Sequence, residues 1–251
     1  MKKLIIAIMC SVLVLPALAS ASEGGEHLIK ADVDLGNKAS LRRGAKLFAN
    51  YCMGCHSLQY MSYGRLARDL NLTKEDVYKN LQWAYTGKHS MADYMKIAMP
   101  AAEAKKWFGT PPPDLSLVAR SRSPDWLNTY LRGFYVDNSR PFGVNNIVFH
   151  NVGMPDILWQ LEGMKKAKYE EVTGPEGQKE KKFVGFETVS EGSVPPAQFD
   201  ENVRDLVNFL TYVGEPGRPA HERLGVWVLL FLAIFTAVAY ALKKEYWKDI
   251  H

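Results

Sequence analysis

The stretch "ANYCMGCHSLQY", Ala49–Tyr60, sets Cys52, Cys55 and His56 within five residues, in a chain of 251 residues that has three cysteines and six histidines. Four chemistries use so close a pair of thiols, and the surrounding residues separate them. A disulfide closing so short a loop adds little to a domain large enough to build its own core. A structural zinc site takes four ligands, usually from two pairs, and the sequence holds no second cysteine pair. A thioredoxin-like redox centre opens a helix after a strand, whereas this pair follows a segment of helical pattern. The histidine decides among them. Cys-x-x-Cys-His is the spacing at which two thiols add to the vinyl groups of a haem while the next residue reaches its iron. Cys52 and Cys55 are expected as thioether anchors and His56 as one axial ligand. The other imidazole nitrogen needs an acceptor to fix the tautomer, and a carbonyl of the Pro111–Pro113 run is expected to supply it.

Both ends of the chain agree with an exported haem domain. "MKKLIIAIMCSVLVLPALASAS" has two lysines, an apolar run from Leu4 to Leu15 and small residues behind Pro16, the pattern of a secretory signal peptide cleaved after Ala19 or Ala21. A retained anchor fits less well, because the run is short and cleavage sites follow it. Lipid attachment at Cys10 is disfavoured by the bulky Met9 before it. The second apolar run, Leu224–Leu242, carries no charge and spans about 28 Å at the helical rise, close to the ~30 Å hydrocarbon core. Trp227, Tyr240, Tyr246 and Trp247 sit near its ends, where interfacial aromatics collect. Lys243, Lys244 and Lys248 follow, which places the tail in the cytoplasm and the body on the opposite side. Loss of Lys2 and Lys3 lowers the formal +4 to about +2. With no long basic run besides, nucleic acid is not suggested as a partner.

The expected organisation is residues 1–21 signal peptide, 22–223 exported domain, 224–242 transmembrane helix and 243–251 cytoplasmic tail. "SLRRGAKLFANYC" predicts a helix capped by Ser40 that runs into the cysteine motif. "SMADYMKIAMP" predicts a helix to about Met99, interrupted or restarted at Pro100. The "TPPPDLS" segment must be extended or turned, since three prolines fix φ and remove donors. "SRSPDWLNTYLRGFYV" predicts a helix capped at Ser123 and ending near Phe134. From Met164 to Pro196 the composition predicts a solvated β-hairpin around "TGPEGQ". "FDENVRDLVNFLTYVG" predicts an amphipathic helix capped by Asp200 and ended by Gly214, with "EPGRPAHER" as a short, stiff linker into the membrane. Gly44 and Phe48 share a helix face, and the missing side chain at Gly44 lets a second helix approach, for which the stripe around Leu206, Phe209 and Leu210 is the natural partner.

The far face of a haem can be taken by Met, by His or left open. Met99 in "KIAMPAA" and Met154 in "NVGMPDILWQL" stand out because proline follows each, and spacing favours Met99, the nearer to His56. His89 and His150 are expected as surface or hydrogen-bonded residues.

Several separated motifs in order resemble the cytochrome c1 family, the haem-bearing subunit of the bacterial cytochrome bc1 complex. They are "RGAKLFANYCMGCHSLQYMSYGRLARDL", "PPPDLSLVARSR", "NVGMPDILW", "DLVNFLTYVGEPGRPAHERLGVWVLLFL" and the closing "KKEYWKDIH". The resemblance implies a mainly α fold: a class I cytochrome c-like haem domain with insertions, a small β-hairpin among them, plus one C-terminal transmembrane helix. It implies one covalent haem c and moves the axial ligand from Met99 to Met154. It gives Arg120 as the partner of a haem propionate, with Arg122 able to serve instead; Tyr63 and Arg65 lie in a matching segment and take no assigned role.

The function so implied is electron transfer within ubiquinol–cytochrome c oxidoreductase, with no catalysis by this chain alone. Electrons come from the Rieske iron-sulfur protein and pass to a soluble or tethered cytochrome c. Cytochrome b is the expected membrane partner, the complex a dimer, and the site a bacterial inner membrane with the haem domain in the periplasm. Two other readings fit the motif: a membrane-tethered mono-haem carrier for a terminal oxidase, and a haem enzyme or sensor with an open sixth position.

Overall fold

In the computed structural model, which describes residues 28–82, 87–173 and 178–250, the cysteine motif is delivered by a helix that stops just short of it. Helix α1 (Lys38–Leu47) is capped by Asn37, whose side-chain oxygen accepts the Ser40 N–H at 3.0 Å. The expected cap, Ser40, lies inside the helix and is buried, its hydroxyl accepting from Asn208 Nδ2 at 3.0 Å. A π-helical turn, Phe48–Cys52, follows; such wide turns are rare in helices and recur at functional sites.

The apolar face of α1 crosses α8 (Pro196–Gly214). Leu41, Gly44, Ala45 and Phe48 meet Val203, Leu206, Phe209 and Leu210 in one buried cluster. A Cβ added to Gly44 would lie 2.1 Å from the Asp205 carbonyl oxygen and 2.6 Å from Phe209 Cβ, so the backbones touch where glycine removes the side chain. Beside that contact the Phe48 and Phe209 rings sit 5.9 Å apart, a pairing worth about 0.5–1.5 kcal/mol beyond burial. Arg43 closes the edge, its Nη2 donating to Asp205 at 3.0 Å and lying 3.1 Å from Glu201.

Helix α8 begins at Pro196, which supplies a helical φ without an N–H to satisfy. Asp200 is therefore not the cap. It lies a turn inside and pairs with Arg132 Nη1, while Arg132 Nη2 donates to the Asp200 carbonyl at 3.0 Å.

Behind the cysteine motif, β1 (Leu58–Ser62) pairs antiparallel with β2 (Tyr94–Met95). The helix expected up to Met99 is absent. Its backbone is taken by the start of α2 (Tyr63–Leu70): the Tyr63 N–H donates to the Asp93 carbonyl at 3.0 Å and the Gly64 N–H to the Met91 carbonyl at 2.7 Å. The buried Met95 sits in the strand pair, and a helix, α4 (Ala101–Phe108), starts only after Pro100. Between them α3 (Lys74–Asn80) opens on a reciprocal Thr73–Asp76 capping box.

Helix α5 (Val118–Ser121) leads to α6 (Pro124–Arg132), which has the expected Ser123 cap, with the Trp126 N–H donating to Ser123 Oγ at 3.2 Å. It ends at Arg132, because Phe134 already belongs to β3 (Phe134–Val136), paired antiparallel with β4 (Val144–Asn146). After the short α7 (Trp159–Glu162) comes the long hairpin of β5 (Gly163–Thr173) and β6 (Lys179–Glu191), as the composition predicted; its turn, 174–177, lies outside the described residues. Lys165 fastens it to the domain: buried against Glu162 and 4.3 Å from the Phe186 ring centroid, its Nζ donates to the Arg132 carbonyl at 2.7 Å.

Three residues, 215–217, separate α8 from α9 (Arg218–Tyr246), so most of the expected linker is helix, with Pro219 in its first turn. Helix α9 has 29 residues, a most apolar window of mean hydropathy 2.3 and no buried residue. Its length of about 43 Å exceeds a hydrocarbon core. Among the described residues it is the helix long and apolar enough to cross a membrane. The fold is mainly α with small hairpins, and the N-terminal apolar run lies outside the described residues.

Gly44→Ala drives a methyl group into the Asp205 carbonyl and should destabilise the domain by about 1–3 kcal/mol or more, since packed helices must part to admit it. A thermal melt checks this against Lys46→Ala on the exposed face of α1, which should stay within about 0.5 kcal/mol.

Candidate haem site

The π-helical turn hands the chain to a single closed turn. The Cys52 carbonyl accepts both the Cys55 N–H at 3.0 Å and the His56 N–H at 2.9 Å. Residues three and four apart on such a turn leave from one side, so Cys52, Cys55 and His56 form one group. Both thiols are free; Cys52 is buried and Cys55 half-buried. Burial pushes the Cys52 thiol up to about 12.

His56 is 8% exposed and its Nδ1 lies 2.7 Å from the Pro113 carbonyl oxygen, within the proline run where the sequence placed the acceptor. A carbonyl can only accept, so Nδ1 carries the proton and Nε2 keeps a lone pair. Burial lowers the His56 pKa, opposed by the Pro113 bond and the charge of Asp114; the imidazole is thereby held neutral, the form that binds a metal. Prolines 111–113 cannot coil into helix, and the chain after them is stitched alongside the motif. The Leu115 N–H donates to the Ser57 carbonyl at 2.9 Å and the Gln59 N–H to Asp114 Oδ2 at 2.8 Å, while from the segment before the prolines the Ile97 N–H donates to Ser57 Oγ at 3.0 Å.

On a separate loop, half-buried Met154 accepts a hydrogen bond at its Sδ from the Tyr130 hydroxyl, 3.4 Å away. Tyr130 is set by its neighbours on α6 and β3: its ring stacks on Trp126 at 4.8 Å and meets Phe134 edge-on at 5.2 Å. Burial, with Asp156 nearby, raises its phenol pKa, so it stays a neutral donor. Both groups are built on one core: Cys52, Leu127 and Leu158 belong to the same buried cluster, with Tyr130, Leu115 and Ile157 packed against it.

The remaining candidates are spread out. Met99 is half-buried in the open segment before α4. His89 stacks on Tyr78 at 4.9 Å, with its Nδ1 3.1 Å from Gln82 Oε1. Arg120 is exposed on α5, and its stem packs at the end of α8, where a Cβ on Gly214 would meet Arg120 Cγ at 3.3 Å. Arg122 lies 5.3 Å from the Trp126 ring. Tyr63 donates to Met53 Sδ at 3.6 Å, and Arg65 pairs with Asp69 at 3.0 Å. Tyr130 escaped the sequence reading, in which it was one aromatic of a helix, 24 residues from the sulfur it bonds.

The donor set fits a covalent haem: two unpaired thiols on one turn, an imidazole with its outer nitrogen fixed, and a thioether aligned by a phenol. Comparison with known proteins agrees. A cytochrome c1 of Allochromatium vinosum is 50% identical over 251 residues, covering 100% of both chains. The ammonia monooxygenase gamma subunit of Nitrosomonas europaea is 40% identical over 244 residues, 97% of each chain. A cytochrome c1 of Rhodospirillum rubrum is 28% identical, over 95% of this chain and 94% of its own. The model of the Cytochrome C1 family matches residues 33–250, and with a full-length relative at half identity the chain belongs to that family.

Proposed function

We propose that this chain is the electron-transfer subunit of a ubiquinol–cytochrome c oxidoreductase, receiving single electrons from the Rieske iron-sulfur protein and delivering them to a soluble or tethered cytochrome c. Family membership makes it a membrane-anchored haem electron-transfer protein of a bc1 complex with cytochrome b and the Rieske protein. The haem c of the family supplies a one-electron couple at its iron. The observation that carries the assignment to particular residues is the pair of opposed hydrogen bonds, one on the His56 ring and one on the Met154 sulfur.

In this reading Cys52 and Cys55 would hold the haem through thioether bonds, and His56 and Met154 would bind its iron. The Pro113 carbonyl holds the His56 proton at Nδ1, which orients the ring and strengthens Nε2 as a donor. Tyr130 holds its proton toward Sδ, which withdraws electron density from the sulfur. A thioether ligand already favours a higher potential than a second imidazole, and the phenol acts in the same direction. Arg120 is the proposed propionate partner, on the resemblance of "LSLVARSR".

A freely roaming tethered carrier needs a long flexible linker, and three residues between α8 and α9 do not provide one. We place the haem domain on the periplasmic side of a bacterial inner membrane, with the lysines after the apolar run inside, and the complex as a dimer.

Met154→Leu should lower the reduction potential and let the reduced protein bind carbon monoxide, as redox titration and CO difference spectra would record; an unchanged potential removes Met154 as ligand. Tyr130→Phe should lower the potential by less and leave CO binding low, because it removes the donor and keeps the thioether. Purification in mild detergent should recover the chain with cytochrome b and the Rieske protein. Recovery with the subunits of an ammonia monooxygenase, or with neither, would overturn the complex assignment.

A further inference from the structure

Met154 stands three residues beyond Asn151, which adopts a left-handed φ of 62°. Asparagine accepts that conformation better than most residues, yet it must be held there by its surroundings. Both peptide groups of Asn151 are held by side chains of the β3–β4 hairpin and its turn. Its N–H donates to Asn145 Oδ1 at 2.9 Å, and its carbonyl accepts from Arg140 Nη2 at 3.1 Å. Asn145 is 7% exposed and held at both ends of its amide: Oδ1 also accepts the Asn146 N–H at 2.9 Å, and Nδ2 donates to Asp137 Oδ2 at 3.0 Å. Asp137 is fixed in turn by the Ser139 N–H at 3.0 Å and the Ser139 hydroxyl at 2.6 Å.

The neighbouring Asn146, 0% exposed, serves the other side of the sulfur. Its Nδ2 donates to the Tyr130 carbonyl at 2.8 Å and its Oδ1 accepts the Val148 N–H at 3.0 Å. Two consecutive buried amides thus bind the loop that carries Met154 and the backbone of the tyrosine that bonds its sulfur. Buried amides are costly unless all their groups are satisfied, and here one hairpin satisfies them with the chain on both sides of the site.

We infer that Asn145, with Arg140, is a positioning clamp on Asn151 that sets the reach of Met154 toward the haem iron; this rests on Met154 being an axial ligand. A residue at Asn145 that cannot accept frees the Asn151 N–H and lets the left-handed turn relax. Sulfur and iron then separate for part of the time, although neither ligand has changed.

The test uses the full chain in its native membrane complex, with haem attached. The readouts are the far-red thioether-to-ferric-iron absorption band, CO binding by the reduced protein, and thermal stability measured separately. Asn145→Leu should weaken the band at least about twofold and admit CO, since the clamp acts on ligand occupancy. The exchange Asn145→Asp with Asp137→Asn keeps an acceptor for Asn151 and a donor between the two side chains, and should restore both readouts. A stable, haem-bearing Asn145→Leu protein with an unaltered band and no CO binding overturns the clamp. Met154→Leu is the reference: if it abolishes the band, the ligand reading stands whatever Asn145 does, and if it does not, that reading fails by itself. Should Asn145→Leu fail to accumulate, Arg140→Met carries the test, removing the bond to the Asn151 carbonyl while the Asn145 bond to its N–H stays. A weakened band supports the clamp, and an unaltered one overturns it.

Discussion

The backbone contact between Gly44 and Asp205 is the constraint on which the rest of the domain depends. Because α1 lies directly on α8, with no side chain between them at the crossing, the two helices have little freedom to slide or rotate. The π-helical turn continues α1 without a break, so the crossing also fixes where the cysteine turn emerges. Helix α8 carries the same registration elsewhere: Arg132 at the end of α6 is tied to Asp200, and the stem of Arg120 rests at Gly214. One close approach therefore aligns the segment bearing His56 with the helices leading to Tyr130 and, through the β3–β4 hairpin, to Met154.

The site built on that frame pairs two hydrogen bonds of opposite electronic sense. The Pro113 carbonyl accepts from His56 and makes its free nitrogen a better donor, while the Tyr130 hydroxyl donates to the Met154 sulfur and makes it a poorer one. Each partner comes from a segment with few alternatives. The proline run cannot become helix, and Tyr130 is wedged between Trp126 and Phe134. Neither bond involves a charged side chain, so the electronic setting of such a site is insensitive to ionic strength.

The membrane helix is joined to this rigid assembly by three residues. So short a connection suits the anchored subunit proposed above better than a roaming carrier. The nine residues of "EPGRPAHER" are already short and proline-rich for a carrier's tether, and the helix takes up six of them.

Much of this was legible from local pattern. The Cys-x-x-Cys-His spacing, the proline run, the Ser123 cap, the long hairpin and the apolar C-terminal run are short-range signals, and their physical causes lie within a few residues. Even the Gly44 crossing could be anticipated, since a glycine one turn before a phenylalanine faces an apolar stripe with the same spacing. The misreadings arose where distant groups compete for the same backbone. Residues 90–99 have a helical composition, but the Met91 and Asp93 carbonyls are claimed by Gly64 and Tyr63, and Tyr94–Met95 pairs as a short strand instead. Asp200 and Ser40 have the side chains of caps, yet tertiary partners Arg132 and Asn208 engage them inside helices that start earlier. The sequence by itself determined the Cys52–His56 turn and the long apolar C-terminal helix. Spacing along the chain favoured Met99, and the resemblance to a family pointed to Met154. Only the tertiary structure brought Tyr130 to the Met154 sulfur and closed Asn145 and Arg140 on Asn151, because those contacts join residues that no local periodicity relates.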